Sequence, residues 1–286
     1  MSAIKILVAQ HKAAPVYSND IYTPIQVGKF LSGTSLGILS DDCGENISHL
    51  NPYFCELTAQ YWAWKNINDV DYIGLCHYRR YFKTEFTNDN MEKLMQGYDI
   101  ILAKRIILRT NILNWYSTGL TPEDVMIFHL YMSRLYKDNP EQYTKFYTKQ
   151  NWINPANMFV CSKKLFDDFC SWEFSILNDL FSIIPKSPYS REQRLMGFFG
   201  ESLLPFFAYI NKLKVKEIPI VPMIGSKSEY YKQNFLLKLK NNLLFTKNHK
   251  QFTIPTDFMV GLEKDGLPQR INALFENKYN HDAKGF

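Results

Sequence analysis

The sequence has no Cys-x-x-Cys pair, and its five cysteines, at 43, 55, 76, 161 and 170, are odd in number. Neither a disulfide framework nor a thiolate zinc site is indicated, and a reducing compartment fits best. No apolar run reaches the roughly 18 residues that a membrane-spanning helix requires. The start, Met1-Ser2-Ala3-Ile4-Lys5-Ile6, enters a strand-like segment without the apolar stretch of a signal peptide. A cytoplasmic chain is therefore expected, neither secreted by a signal peptide nor spanning a membrane. Internal repeats and low-complexity linkers are also missing. Charge of one sign is in short supply: 33 basic and 28 acidic residues leave a net charge of +5. Nucleic-acid binding would need those cations gathered on one surface, so no nucleic-acid partner is expected, whereas smaller anions need only a few.

What is present is an ordinary globular composition, 46% hydrophobic and 21% charged, which excludes a disordered chain. The 286 residues suit one α/β domain around one sheet, residues 1–225, followed by a C-terminal extension, 226–286. Aromatic residues reach 15%. Most belong in the core, and the rest offer flat faces for stacking on sugar rings or bases.

Residues 4–10 read as a buried first strand ending at His11-Lys12, and ligands of open α/β sheets sit beyond such strand ends. After an irregular stretch comes a polar loop, Asp41-Asp42-Cys43-Gly44-Glu45-Asn46. Asn51-Pro52 then opens a helix over 53–66, with Glu56 and Lys65 near opposite ends and Tyr61, Trp62 and Trp64 in its core-facing part. Residues 71–76 read as a central strand emptying into His77-Tyr78-Arg79-Arg80-Tyr81-Phe82, and 98–103 as another ending at Lys104-Arg105. Thr121-Pro122 starts a helix to about residue 137 that carries His129. A strand over 157–161, a helix from 162 to 172 or beyond and a long amphipathic helix over 191–211 follow. The alternation predicts a mainly parallel sheet covered by helices on both faces. In 232–250 apolar residues interleave with lysines at helical spacing. That segment either lies on an anionic membrane surface or packs its apolar stripe on the main domain with its lysines in water.

Two adjacent arginines and a histidine directly after a buried strand are costly unless anions use them. Guanidinium groups pair with phosphate through charge-assisted hydrogen bonds. The alternatives are surface salt bridges for Arg79 and Arg80 and a satisfied core position for His77. Placement beyond a strand end favours a ligand.

The combination of His11-Lys12, Asp41-Asp42, Asn51-Pro52-x-x-Cys55-Glu56-Leu57-Thr58, Tyr61-Trp62-x-Trp64-Lys65-Asn66 and Gly74-Leu75-Cys76-His77-Tyr78-Arg79-Arg80-Tyr81-Phe82 resembles the bacterial domain-of-unknown-function family 4422. The likeness continues in Asn157-Met158-Phe159, Phe169-Cys170-Ser171-Trp172 and Arg194-x-x-Gly197-Phe198-x-x-Glu201, about residues 4 to 220 in all. It departs at Cys43-Gly44-Glu45-Asn46, where the family usually reads more like Thr-Gly-Asp-Asn. The resemblance implies a sugar-nucleotide-dependent glycosyltransferase of capsular, exopolysaccharide or O-antigen synthesis. Its reaction would move a hexosyl unit, galactosyl or galactofuranosyl, from a UDP-sugar to a lipid-linked or oligosaccharide acceptor at the inner face of the cell membrane.

The layout itself looks like a GT-A type nucleotide-sugar domain with a C-terminal helical extension. Most such domains hold a divalent metal on an Asp-x-Asp triplet after a strand; here that slot holds His77-Tyr78-Arg79, and no Asp-x-Asp follows any strand-like run. Donor contacts are expected from His11, Lys12, Asp41, Asp42, Lys65, His77, Arg79, Arg80, Lys104 and Arg194, with fixed cations in place of the metal. No cofactor is expected, and Asp41 and Asp42 are reserve ligands for Mn or Mg. Asp41, Asp42 and Asn46 also stand where a ribose or uracil is read. Glu201, then Glu192, are the candidate bases for the acceptor hydroxyl, ahead of Asp124 and His129, and the resemblance also implies this role for Glu201. Tyr78, Asn157 and His129 are candidate acceptor or sugar contacts. A competing class, a noncatalytic nucleotide- or phosphate-binding component of an assembly complex, would keep the arginines and dispense with Glu201.

Overall fold

The computed structural model describes residues 3–223, 232–248 and 255–282. In chain order the strands are β1 (Ile4–Gln10), β2 (Tyr22–Gln26), β3 (Leu39–Ser40), β4 (Tyr72–His77), β5 (Arg80–Phe82), β6 (Ile100–Ala103), β7 (Ile106–Ile107), β8 (Trp152–Ile153), β9 (Phe159–Ser162), β10 (Val215–Ile218) and β11 (Ile220–Pro222). The helices are α1 (Asn51–Phe54), α2 (Leu57–Asn66), α3 (Met91–Met95), α4 (Ile112–Tyr116), α5 (Pro122–Leu135), α6 (Pro140–Thr148), α7 (Lys163–Ile183), α8 (Ser190–Gln193), α9 (Leu195–Ile210), α10 (Phe235–Lys247), α11 (Thr256–Lys264) and α12 (Leu267–Asp282).

Strand β1 is buried along its whole length except at Lys5, as a strand covered on both faces must be. It pairs in parallel with β2 on one side and β4 on the other. The main row runs β10-β6-β9-β4-β1-β2-β3. Within it β9 alone is reversed, antiparallel to both β4 and β6. The sheet is thus mainly parallel, with β4 and β6 pointing the same way. At the β4–β9 contact a Cβ on Gly74 would stand 2.7 Å from the Phe159 carbonyl oxygen, so only glycine permits this approach.

Alternating side chains fill two cores. Leu7, Ala9, Leu75, Leu102 and Phe159 face the layer of α2, α7 and α9, whereas Ile6, Val8, Cys76, Ile101 and Val160 face Tyr78, Tyr81, Phe82 and Phe86. Helix α5 starts where Thr121 accepts the Asp124 amide with Pro122 in the first turn, and α7 where Ser162 accepts the Leu165 amide.

Several expected boundaries shift. The helix expected over 53–66 is broken at Cys55, whose φ of 53° interrupts the hydrogen-bond ladder between α1 and α2. The one expected over 191–211 splits at Arg194 into α8 and α9. The helix expected from 162 to 172 or beyond runs to Ile183, its apolar face carrying on through Phe174, Ile176, Leu177 and Leu180. Within the stretch expected to be irregular, β2 forms despite Pro24, which pairs with Val8 in register. The division expected at 225/226 lies outside the described residues. Helices α11 and α12 pack on the main body through buried Leu262, Leu267, Ile271 and Phe275, and Arg270 donates to the Ile183 carbonyl at the end of α7. Among the described residues no helix is long and apolar enough to cross a membrane.

Candidate active site

The parallel register brings Ala9 of β1 opposite His77 of β4, so the two strands end side by side. Beyond those ends opens a cleft of about 630 Å³. Strand β4 reverses through the two-residue turn Tyr78-Arg79 into β5, with His77 paired to Arg80, and this hairpin carries both arginines to the cleft wall. The opposite wall comes from the α1–α2 junction with Cys55 and Glu56, from Arg194 at the α8–α9 break, and from α9 with Phe198 and Glu201. Trp115 and Tyr116 of α4 add an aromatic side.

One loop ties the polar groups together. Ala156 and Asn157 both adopt left-handed backbone angles, φ 76° and 48°, a strain that persists only where the surroundings enforce it. The Ala156 carbonyl takes a hydrogen bond from His77 Nε2 at 2.8 Å. Because a carbonyl only accepts, that nitrogen carries the proton. Glu201 receives a backbone hydrogen bond from the same residue. The Asn157 side chain donates to Glu56 Oε1 at 2.8 Å and to the Gly197 carbonyl at 3.1 Å. Glu56 Oε1 also stands 3.7 Å from His77 Nε2.

The electrostatics divide the cleft. Burial, and then the nearby Glu56 charge, push the Glu201 carboxyl up to about 7, although Arg80, Arg194 and the backbone bond pull the other way. Burial is likewise the largest cause lowering His11 and His77; beyond it, Arg79, Lys12 and Arg194 lower His11, and Arg80 and Arg79 lower His77 against the pull of Glu56. Both imidazoles are therefore held toward the neutral form. Arg79 lies over the Tyr78 ring at 5.3 Å, and Arg194 donates to Cys55 Sγ at 3.3 Å. Among the described residues neither Arg79 nor Arg194 forms an ion pair with a carboxylate. Arg79 has no carboxylate partner among those residues, while Arg194 feels the Glu56 and Glu201 charges without a direct ion pair, and guanidinium groups left without a direct carboxylate contact are able to pair with an anion.

Of the expected site residues, His11, His77, Tyr78, Arg79, Arg80, Arg194 and Glu201 line the cleft. Asn157 lies behind the wall, buried, acting on Glu56 and not on open space. Lys12 is exposed beside His11 and off the wall.

The others are not brought together with them. Asp41 is fully buried, its oxygens taken by the Gly28 and Lys29 amides and the Ser48 and Thr58 hydroxyls. Asp42 accepts from Ser40 Oγ at the surface, and Asn46 closes its own turn with Gly44 and Ser48. Neither aspartate is placed to read a ribose or hold a metal at the cleft. Lys65 sits 3.8 Å above the Trp64 ring and pairs with Glu45, while Trp64 itself stacks on Phe174 in the core. Lys104 points to solvent off the wall, and Glu192 accepts from the Ser187 hydroxyl. His129 is bonded to the Tyr143 hydroxyl inside the helical layer, where burial lowers its pKa to about 4. Asp124 belongs to the Thr121 cap. These polar groups satisfy local backbone and neighbours, which residue type and spacing alone do not reveal.

Glu56, Trp115, Tyr116 and Phe198 line the cleft without having been expected there. For Glu56 a signal existed, its place beside Asn51-Pro52-x-x-Cys55.

At the end of β4 the Arg79 and Arg80 guanidinium groups bind no cation and the His77 Nε2–H is given to the Ala156 carbonyl, so this turn offers no carboxylate ligand to a divalent ion. The triplet Asp69-Val70-Asp71 precedes β4, at the far end of that strand, where Asp71 accepts the Ala3 amide.

A mainly parallel sheet with one reversed strand, a helical layer on one face, the β5 hairpin and short α3 on the other, and a cationic cleft beyond the strand ends make this a GT-A-like α/β protein. The profile of the family described as "Domain of unknown function (DUF4422)" matches residues 5–212, and the chain belongs to that family. No curated protein matches significantly. Among solved structures the chain is similar to the apo structure of the WbbM bifunctional glycosyltransferase, with a TM-score of 0.69 and 28% identity over 82% of this chain and 47% of that one. It thus spans about half the length of that protein.

Proposed function

We propose that this chain is a glycosyltransferase that moves a hexosyl unit, galactosyl or galactofuranosyl, from a UDP-sugar to a hydroxyl of a lipid-linked or oligosaccharide acceptor in surface polysaccharide synthesis. The observation that carries the reading is the meeting, in one cleft, of Arg79 and Arg194, neither in a direct ion pair among the described residues, with a Glu201 carboxyl pushed up to about 7. The likeness to a glycosyltransferase supports it. In this reading the arginines hold the donor diphosphate and stabilise the charge that grows on it as the bond to the anomeric carbon breaks. Glu201 accepts the proton of the acceptor hydroxyl as its oxygen bonds to that carbon. Trp115 and Phe198 supply faces on which a sugar or base stacks.

A thermal-shift panel of nucleotide sugars tests the donor. A UDP-hexose should raise the melting temperature, since a ligand at a hundred times its Kd stabilises by about 2.7 kcal/mol, and Arg79→Ala should lose most of that shift. A panel in which no uridine sugar stabilises the protein rejects the reading.

The fixed cations take the role of a metal, so excess chelator should leave the rate of UDP release unchanged. Activity that disappears with EDTA and returns only with manganese or magnesium would sink this part of the proposal.

A further inference from the structure

Helix α10 has two unlike faces. On its inner side Asn241 is buried and donates to the Ile107 carbonyl at 2.7 Å. Gln233, just before the helix, exchanges two hydrogen bonds with the Ile107 backbone, and Leu237, Leu244 and Phe245 are half-buried. At about 100° per residue, Phe235, Leu236, Leu239 and Leu243 fall within one arc on the opposite side. They are 77%, 71%, 46% and 63% exposed. Lys240 and Lys247 border that arc on one flank, Asn242 and then half-buried Lys238 lie on the other, Lys232 precedes the helix, and the helix FLLKLKNNLLFTK contains no carboxylate.

Four large apolar side chains side by side in water mark a surface that something covers. A second copy of the chain, meeting it face to face, would set these lysines against their own counterparts, because a two-fold contact joins the same patch to itself. An anionic lipid leaflet attracts them and accepts the apolar arc. The position agrees. Helix α10 is fastened to β7, immediately beyond the end of β6, and β6 runs parallel to β4. The helix therefore sits at the same end of the sheet as the cleft.

The geometry points to α10 as an interfacial helix that seats this end of the protein on an anionic bilayer surface, with Phe235, Leu236, Leu239 and Leu243 in the headgroup–acyl boundary and the lysines among lipid phosphates. The inference stands apart from the transfer reaction, because its test needs neither donor nor acceptor.

The full chain is co-sedimented with phosphatidylcholine vesicles, with and without phosphatidylglycerol. It should bind the anionic vesicles, and Phe235→Ser/Leu239→Ser/Leu243→Ser should weaken that partitioning by at least about tenfold. Lys238→Glu/Lys240→Glu/Lys247→Glu and added salt should weaken it as well. Circular dichroism and the melting temperature of the serine variant should match the wild type, since its replaced side chains face water. A wild-type chain that stays in the supernatant with anionic vesicles overturns the inference, as does a serine variant that binds like the wild type. A concentration-dependent dimer abolished by the serine substitutions, without vesicle binding, would assign the arc to self-association instead.

Discussion

Glu201→Gln should lower turnover by roughly 10²- to 10⁴-fold, the usual contribution of a positioned general base, while the donor-induced rise in melting temperature persists. The amide has nearly the shape of the carboxyl but cannot take a proton. The wild-type pH profile should carry the same signature. With Glu201 pushed up to about 7 by burial and the Glu56 charge, kcat/KM should climb as pH rises through about 7 and level off above it. Stability moves the other way. A carboxyl raised above its ordinary 4.5 favours the native state below that value, and its contribution is lost as pH rises through about 7. Glu173, buried beneath the site and pushed up to about 8 chiefly by desolvation, acts in the same direction. Activity should therefore rise over the interval in which the melting temperature falls, and Glu201→Gln should flatten the lower part of that fall. A variant with wild-type turnover would remove Glu201 from the base role. Donor binding without turnover in the wild type, across a panel of acceptors, would favour a noncatalytic phosphate-binding component.

The layout was legible where burial is continuous or caps are explicit. Residues 4–10 and the run ending at Cys76 read correctly as strands because both faces are apolar, and Thr121-Pro122 announced α5. The strand-end position of His77, Arg79 and Arg80 followed from that pattern. Three features were hidden for physical reasons. The reversal of β9 depends on pairing across more than 80 residues, which no local signal encodes. The breaks at Cys55 and Arg194 leave the helical periodicity nearly intact, yet they turn Glu56 and Phe198 into the cleft. The aromatic wall of Trp115 and Tyr116 arises in a short helix after β7 whose spacing resembles any core segment. Conversely, Lys65, Lys104, Glu192 and His129 are chemically suited to a site and sit elsewhere, since a polar side chain is held by its nearest partners and not by its chemistry.

Asp41 is the sharpest such case, and Asp41→Ala should unfold the protein more readily without weakening its affinity for the donor. The carboxylate lies fully buried at the end of β3 and accepts the Gly28 amide at 2.9 Å, the Lys29 amide at 3.1 Å, the Thr58 hydroxyl at 2.6 Å and the Ser48 hydroxyl. These donors come from three separate segments, so one side chain ties the end of β3 to the turn after β2, to the turn at Ser48 and to the start of α2. The turn has no slack to compensate: Gly28 holds φ 66°, and a Cβ there would stand 2.6 Å from Asn51 Oδ1. Asn51 in turn donates to the Cys55 carbonyl at 2.7 Å, at the junction that presents Glu56 to the cleft. Removing the acceptor takes it from four donors, among them the buried Gly28 amide and Ser48 hydroxyl, a loss of about 3–5 kcal/mol, or a fall in melting temperature on the order of 10 °C. Asp41→Asn keeps one oxygen but turns an N–H toward donors, so it should recover only part of the loss. Urea midpoints measured beside UDP-sugar affinity separate the alternatives. A folded Asp41→Ala with unchanged midpoint and weakened donor binding would return Asp41 to the donor site, whereas a lowered midpoint with unchanged affinity confirms it as the buried tie behind the cleft.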